Sequence, residues 1–189
     1  MNLSLIWQTL TGGWLAAELL MAVVTRTRRG GGSLRDRGSM AVLWIAITAS
    51  ITACQWNKAT HPATIAAGAQ WLALVALALL LAGLLVRGAA IYTLGSAFSV
   101  NVAIRDSQRI CRRGLYRYLR HPSYTGMLII FLAIGVHSRN WLSLAVVVAG
   151  PASALLYRIQ IEEAALRDAF GAEYAAYCET TKRLLPWIY

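Results

Sequence analysis

Acidic residues are scarce in this chain of 189 residues: eight Asp and Glu stand against eighteen Lys and Arg, and charged residues together make up 14%. A soluble domain carries about 25%, which makes a soluble helical bundle the weaker reading from the outset. Cysteine is sparse too. Cys54, Cys111 and Cys178 are scattered without a C-x-x-C pair, which argues against a disulfide framework and a thiolate zinc site. The Gly-x-Gly-x-x-Gly, P-loop and His-Glu-x-x-His patterns are missing, so neither a Rossmann-type nucleotide site nor a metal centre of that type is expected. Internal repeats are also missing.

What the chain has in quantity is apolar sequence, 58% of all residues. The stretch Trp71 to Val86 carries no charge at all. About 20 apolar residues span a bilayer as a helix, and somewhat shorter runs cross with tilt or local thinning. Five such runs can be read: Leu3 to Val24, Met40 to Ala53, Ile65 to Val86, Tyr124 to Val136 and Trp141 to Ile161. The second and fourth are short for a full crossing. The linker Thr25 to Ser39, Gly-rich and basic, separates the first two. The first run is too long for a signal-peptide core, and its basic cluster (Arg26, Arg28, Arg29) follows rather than precedes it, the pattern of a retained span.

The net charge of +10 invites a nucleic-acid reading, but its distribution favours a membrane surface. With five spans, sixteen of the eighteen Lys and Arg fall on one side, and only Lys58 and Arg139 on the other. That asymmetry predicts an external N-terminus and a cytoplasmic C-terminus, with the basic face toward anionic headgroups. The expected class is an all-α polytopic integral membrane protein. Residues 1–86 form three N-terminal transmembrane helices. Residues 87–189 hold two more, the long polar pieces and a C-terminal amphipathic helix. A site built from polar backbone is expected on the cytoplasmic face, where the pieces 87–122 and 158–189 can meet.

Two clusters there carry chemistry. The segment Gly114-Leu-Tyr-Arg-Tyr-Leu-Arg-His-Pro-Ser-Tyr-Thr-Gly126 is the densest polar and aromatic stretch. Pro122 disfavours helical geometry at His121, which places His121 at a helix start, where backbone N–H groups can receive an anion. Tyr116 and Arg120 share a face if a short helix opens at Gly114. An interfacial helix with snorkelling Arg explains the same residues without chemistry. The second cluster is Arg158-Ile-Gln-Ile-Glu162-Glu163, in which Arg158 and Glu162 can pair across one turn or face a ligand bearing both charges. Phe170, Tyr174 and Tyr177 form a stripe expected to dock the last helix onto the membrane surface. Glu18, an acid inside the first span, is either a functional group or the partner of a polar group on another span. His61 and His137 read as structural.

The blocks Gly114-x-Tyr116, Arg120-His121-Pro122-Ser123-Tyr124-x-Gly126, Arg158-x-x-x-Glu162-Glu163, Phe170-Gly-x-x-Tyr174-x-x-Tyr177 and Lys182-Arg183-Leu-Leu-Pro186 closely resemble the isoprenylcysteine carboxyl methyltransferase family. The phospholipid N-methyltransferases share part of the pattern. The resemblance covers about Phe98 to the C-terminus; the first two spans match only in hydropathy. It implies S-adenosylmethionine as cofactor, with S-adenosylhomocysteine as product. It implies a pocket lined by Tyr116, His121, Pro122, Ser123, Tyr124 and Glu162 and bordered by the stretch from Gln108 through Ile110 to Cys111. Arg158 is then the residue facing the methyl acceptor. Two positions depart from the family: Gln108 stands where relatives have His, and Ala103 where animal members have a polar residue. Gln cannot titrate, which argues against a proton relay there.

The chemistry suits these residue types. Glu162 can hold an ammonium, the N–H groups near His121 a carboxylate, and Tyr116 or Tyr124 an adenine or a sulfonium. An activated methyl donor and a carboxylate acceptor need no general base, so alignment carries the catalysis. The expected function is methyl transfer to a lipophilic acceptor from the bilayer, most simply a carboxylate oriented by Arg158. Membrane lipids are the surrounding partners, and neither nucleic acid nor metal is called for. The Arg- and Ala-rich composition fits a bacterial inner-membrane member. A phospholipid or other small-acceptor N- or S-methyltransferase and a non-catalytic membrane relative are the competing classes.

Overall fold

A computed structural model describes residues 2–27, 32–34, 38–61, 64–65, 68–95, 98, 103–105 and 109–185. Five helices account for nearly all of it: α1 (Leu3–Thr27), α2 (Ser39–Thr60), α3 (Ala69–Leu94), α4 (Pro122–Ser138) and α5 (Trp141–Thr180). A short antiparallel ribbon pairs β1 (Gly32–Leu34) with β2 (Ala103–Arg105), and a 3₁₀ turn covers Gly114–Arg117. The ribbon lies in segments that read as plain linker, since three-residue strands beside glycines leave no alternating pattern to detect.

Several helices outrun their expected bounds. α2 continues past Ala53 to Thr60 for 22 residues, so the second run is not short. α3 does not stop at Val86 but runs through Arg87 to Leu94. The charge that looked like a boundary is neutralised inside the protein, as described below. α5 passes Ile161 and continues for 40 residues to Thr180, because Glu, Ala, Leu and Arg are good helix formers. Its interruption is at Gly171, whose φ of 49° and ψ of −122° bend the chain. α2, α3 and α5 are long and apolar enough to cross a membrane. α1 has the length, 25 residues, but carries Gln8, Thr9, Thr11 and Glu18 along its body. α4, with 17 residues, reaches about 25 Å against a hydrocarbon core of about 30 Å.

The helices bury small residues against each other and turn large apolar ones outward. Ile45 is 68% exposed and Leu85 72%, a surface that suits lipid and not water. Where α3 meets α4, Gly83 faces Gly126: a Cβ on Gly126 would stand 2.7 Å from Arg87 N and 2.8 Å from Gly83 O. Between α2 and α5, Gly150 leaves room for Ser50 in the same way. Asn57 Nδ2 also donates to Asn140 Oδ1 at 2.8 Å and Ser143 Oγ at 2.9 Å, and Asn140 caps α5 by accepting from Leu142 N and Ser143 N. Trp7 stacks on His137 with centroids 4.0 Å apart. Gly126→Ala should therefore force α3 and α4 apart and lower stability by about 1–3 kcal/mol. Thermal unfolding in detergent reads the loss, and an unchanged midpoint would contradict this packing.

Candidate cofactor and acceptor site

The motif residues converge because the chain after Thr180 returns to them. Lys182 forms an isolated parallel bridge with Leu119. Arg120 N donates to Lys182 O at 2.7 Å, His121 N to Arg183 O at 3.0 Å, and Lys182 N to Tyr118 O at 3.0 Å. Thr125 Oγ1 adds a bond to Leu184 O at 2.7 Å. This strap holds the turn before α4 against the end of α5.

The two adjacent glutamates then part company. Glu163 is 1% exposed and is gripped by Arg120 Nε at 2.9 Å, Arg183 Nη2 at 2.9 Å and Arg167 Nη2 at 3.3 Å. Arg120 also donates to the carbonyls of Cys178 and Thr181. Glu163 and Arg120 are thus the ties of the strap, and Arg120 is no snorkelling surface residue. Glu162 faces a cavity of about 170 Å³ and keeps 31% of its side chain exposed. Its Oε2 accepts from Tyr124 Oη at 2.8 Å, and Tyr124 Oη in turn accepts from Arg158 Nε at 3.0 Å. The tyrosine hydroxyl thereby joins Arg158 to Glu162, a bridge that spacing along one helix could not reveal. Arg158, 2% exposed, also donates through Nη1 to Ser39 Oγ at 2.9 Å.

Tyr116 comes from the 3₁₀ turn, which begins at Gly114 with φ 56°; a Cβ there would also meet Thr93 Oγ1 at 3.0 Å. Burial pushes the Tyr116 phenol up, and the Glu162 charge adds to the effect, so the ring stays neutral. Its carbonyl accepts from Tyr177 Oη at 2.7 Å. His121 stacks on Tyr124, with centroids 5.5 Å apart, and its Nδ1 lies 3.8 Å from Glu162 Oε2.

Ile110, Cys111, Tyr116, His121, Ser123, Tyr124, Arg158 and Glu162 all line the cavity. Gln108 and Pro186 lie outside the described residues. Pro122 is not part of the lining; it is buried as the first residue of α4. The anion-receiving reading of that helix start narrows to the Ser123 N–H. Tyr124 N and Thr125 N both bond back to His121 O, at 3.0 and 3.1 Å, and proline has no N–H to offer. The Phe170, Tyr174 and Tyr177 stripe also differs from its expected role. It lines the cavity and does not dock a helix onto a surface, with Tyr174 1% and Tyr177 4% exposed.

The motifs say nothing of the opposite wall. Trp14, Leu15 and Glu18 of α1 and Met40, Leu43, Trp44 and Ile47 of α2 line the same cavity, as does Arg87 of α3. Glu18 is the ion-pair partner of Arg87: Nε donates to Oε1, and Nη2 to Oε2 at 2.6 Å. Arg87 Nη1 reaches Ser123 Oγ at 2.7 Å, and Trp14 Nε1 donates to Glu18 Oε1 at 3.0 Å. An acid in one apolar run and a base at the end of another were the available signal, but nothing in a sequence pairs residues so far apart.

The family model for "Isoprenylcysteine carboxyl methyltransferase (ICMT) family" matches residues 74–168, half of the chain. The chain belongs to the isoprenylcysteine carboxyl methyltransferase family. A probable protein-S-isoprenylcysteine O-methyltransferase of Oryza sativa subsp. indica is 32% identical over 116 residues, 60% of this chain and 61% of that protein. Methanethiol S-methyltransferase 1 of Bradyrhizobium diazoefficiens is 36% identical over 73 residues, 39% of this chain and 25% of the relative. Among solved structures, the eukaryotic intramembrane Ras methyltransferase ICMT, determined without a monobody, superposes with a TM-score of 0.61 at 28% identity, covering 76% of this chain and 52% of that one. The match thus spans about three fifths of the length of the plant relatives. Family membership and the outward apolar helices together make this an integral membrane protein of the family's fold.

Proposed function

We propose that this family member is an S-adenosylmethionine-dependent methyltransferase acting on the carboxylate of a lipophilic acceptor, as in isoprenylcysteine carboxyl methylation. In this reading α1 to α5 cross a bacterial inner membrane, with the N-terminus outside and the site on the cytoplasmic face. Residues 87–189 supply the catalytic region. The observation that carries the proposal is one cavity lined by Glu162, Tyr116 and Tyr124, by Arg158, and by the largely apolar side chains of α1 and α2.

The polar end fits the cofactor. Glu162 offers an open carboxylate for an ammonium, Tyr116 and Tyr124 offer ring faces, and the buried Tyr174 Oη lacks a hydrogen-bond partner among the described residues, whereas His121 Nε2 lies 3.5 Å from Glu163 Oε1. Ile110, Cys111 and Ser123 complete that end. When bound, the cofactor supplies an already activated methyl group. The protein's part is then alignment. Tyr124 fixes Arg158 relative to Glu162, so the acceptor's carboxylate and the cofactor's amino-acid end are held by one hydrogen-bonded unit. A carboxylate needs no proton removed, and the site accordingly needs no general base.

Glu162→Ala should weaken S-adenosylhomocysteine binding about tenfold in calorimetry of the detergent-solubilised protein. That is the lower range for a charged hydrogen bond, because the carboxylate is partly open to water. Binding indifferent to this change would remove Glu162 from the cofactor site. A radiolabelled methyl-transfer assay with prenylcysteine analogues tests the acceptor. The match to methanethiol S-methyltransferases favours a thiol as the second reading, and transfer to thiols in preference to carboxylates would establish it.

A further inference from the structure

The apolar end of the cavity has a measurable depth. Ser39 at the start of α2 bonds Arg158, which fixes the level of the guanidinium on that helix. The α2 lining ends at Ile47, eight residues further on, or about 12 Å along the axis. On α4 it ends at Met127, and on α1 at Trp14. Below this level the bundle is filled. Trp14 rests edge-on against Phe131, with centroids 5.9 Å apart and planes at 82°, and Phe131 is completely buried.

Trp14 is also unusually well fixed. Its N–H is held by Glu18, Glu18 by Arg87, and Arg87 by Ser123, one residue from Tyr124. An ion pair buried among apolar helices contributes little net stability, because desolvation offsets the attraction. What this one supplies is position: it locks the indole at a set distance from the polar end.

We infer that Trp14 is the floor of the acceptor compartment and sets the length of apolar chain that the acceptor can carry, an inference that rests on the carboxylate-acceptor reading above. An extended chain advances about 1.3 Å per atom given bonds of about 1.5 Å, so a depth of about 12 Å takes about nine chain atoms counted from the carboxylate, which for an S-alkylcysteine are Cα, Cβ, sulfur and about six alkyl carbons. The ligand class is therefore a carboxylate on a linear or isoprenoid chain that reaches Trp14 at about that length.

The test uses N-acetyl-S-alkylcysteines from ethyl to eicosyl, binding to the solubilised protein in the presence of S-adenosylhomocysteine. Wild type is compared with Trp14→Ala, Trp14→Phe and Ile47→Ala. Taking the ratio of two proteins' affinities at each length cancels partition of the probe into the micelle. Each buried methylene is worth about fourfold in affinity, so wild-type affinity should climb and then level off at about six alkyl carbons. In Trp14→Ala the levelling should move to longer chains, raising the affinity ratio for them at least tenfold and leaving it near one for ethyl. Trp14→Phe and Ile47→Ala, which remove less volume, should shift the plateau less and keep the inference testable if Trp14→Ala does not fold. A ratio that stays flat across all lengths overturns the floor. If S-adenosylhomocysteine binds but no carboxylate probe binds either protein, the acceptor reading falls and the floor with it. Methyl transfer across the series gives a second readout, with the length optimum moving in the same direction.

Discussion

Replacing Glu18 by alanine is expected to destabilise the protein by about 3–5 kcal/mol, the range for leaving one member of a buried ion pair uncompensated. Arg87 is 7% exposed and Glu18 8%, so neither can turn to water when its partner goes. Among the described residues, Arg87 would retain only its bonds to Ser123, and Trp14 would lose its acceptor. The comparison that isolates the charge is the double replacement Glu18→Leu with Arg87→Leu. It removes both ions together and should cost far less than Glu18→Ala alone, since an apolar pair of similar volume avoids the desolvation. Thermal or denaturant unfolding in detergent measures all three proteins. Equal losses for the single and double variants would show that packing, and not the ion pair, matters at this position.

Arg158→Ala should lower kcat/KM on a carboxylate acceptor by about 10- to 150-fold, the factor that corresponds to a hydrogen bond involving a charged group. S-adenosylhomocysteine affinity should fall only a few-fold, through the loosened Tyr124. Arg158→Lys keeps the charge but loses the planar fork; it should recover part of the rate without restoring the bonds that Nε and Nη1 make together to Tyr124 and Ser39. Steady-state rates with two acceptor classes separate the roles. A loss confined to carboxylates supports recognition by Arg158, whereas full activity of Arg158→Ala on a carboxylate would refute it.

Much of this site was legible from local spacing. The break at Pro122 and the cluster of Tyr116, His121 and Tyr124 follow from residues close in sequence, and the structure brings the three rings into one cavity. What local spacing could not supply was how each polar group is used. Arg158 and Glu162 lie four apart on one helix, yet they are joined through Tyr124 of another. Glu162 and Glu163 are indistinguishable as letters, and only the approach of Arg120, Arg167 and Arg183 turns one into a structural tie. The extent of α3 was misjudged at Arg87 because a hydropathy pattern records a charge without its partner on α1. Of the α1 and α2 wall only Glu18 stands out in the sequence, since Trp14 and Ile47 read as ordinary span residues until the fold places them beside the motif.

The return of residues 181–184 to the start of α4 also fixes an order of assembly. A chain made from its N-terminus has all five helices synthesised before Lys182, Arg183 and Leu184 emerge to meet Leu119, Arg120, His121 and Thr125. The strap can therefore close against the start of α4 only after α5 has been made, so these contacts form later in synthesis than the segment they tie.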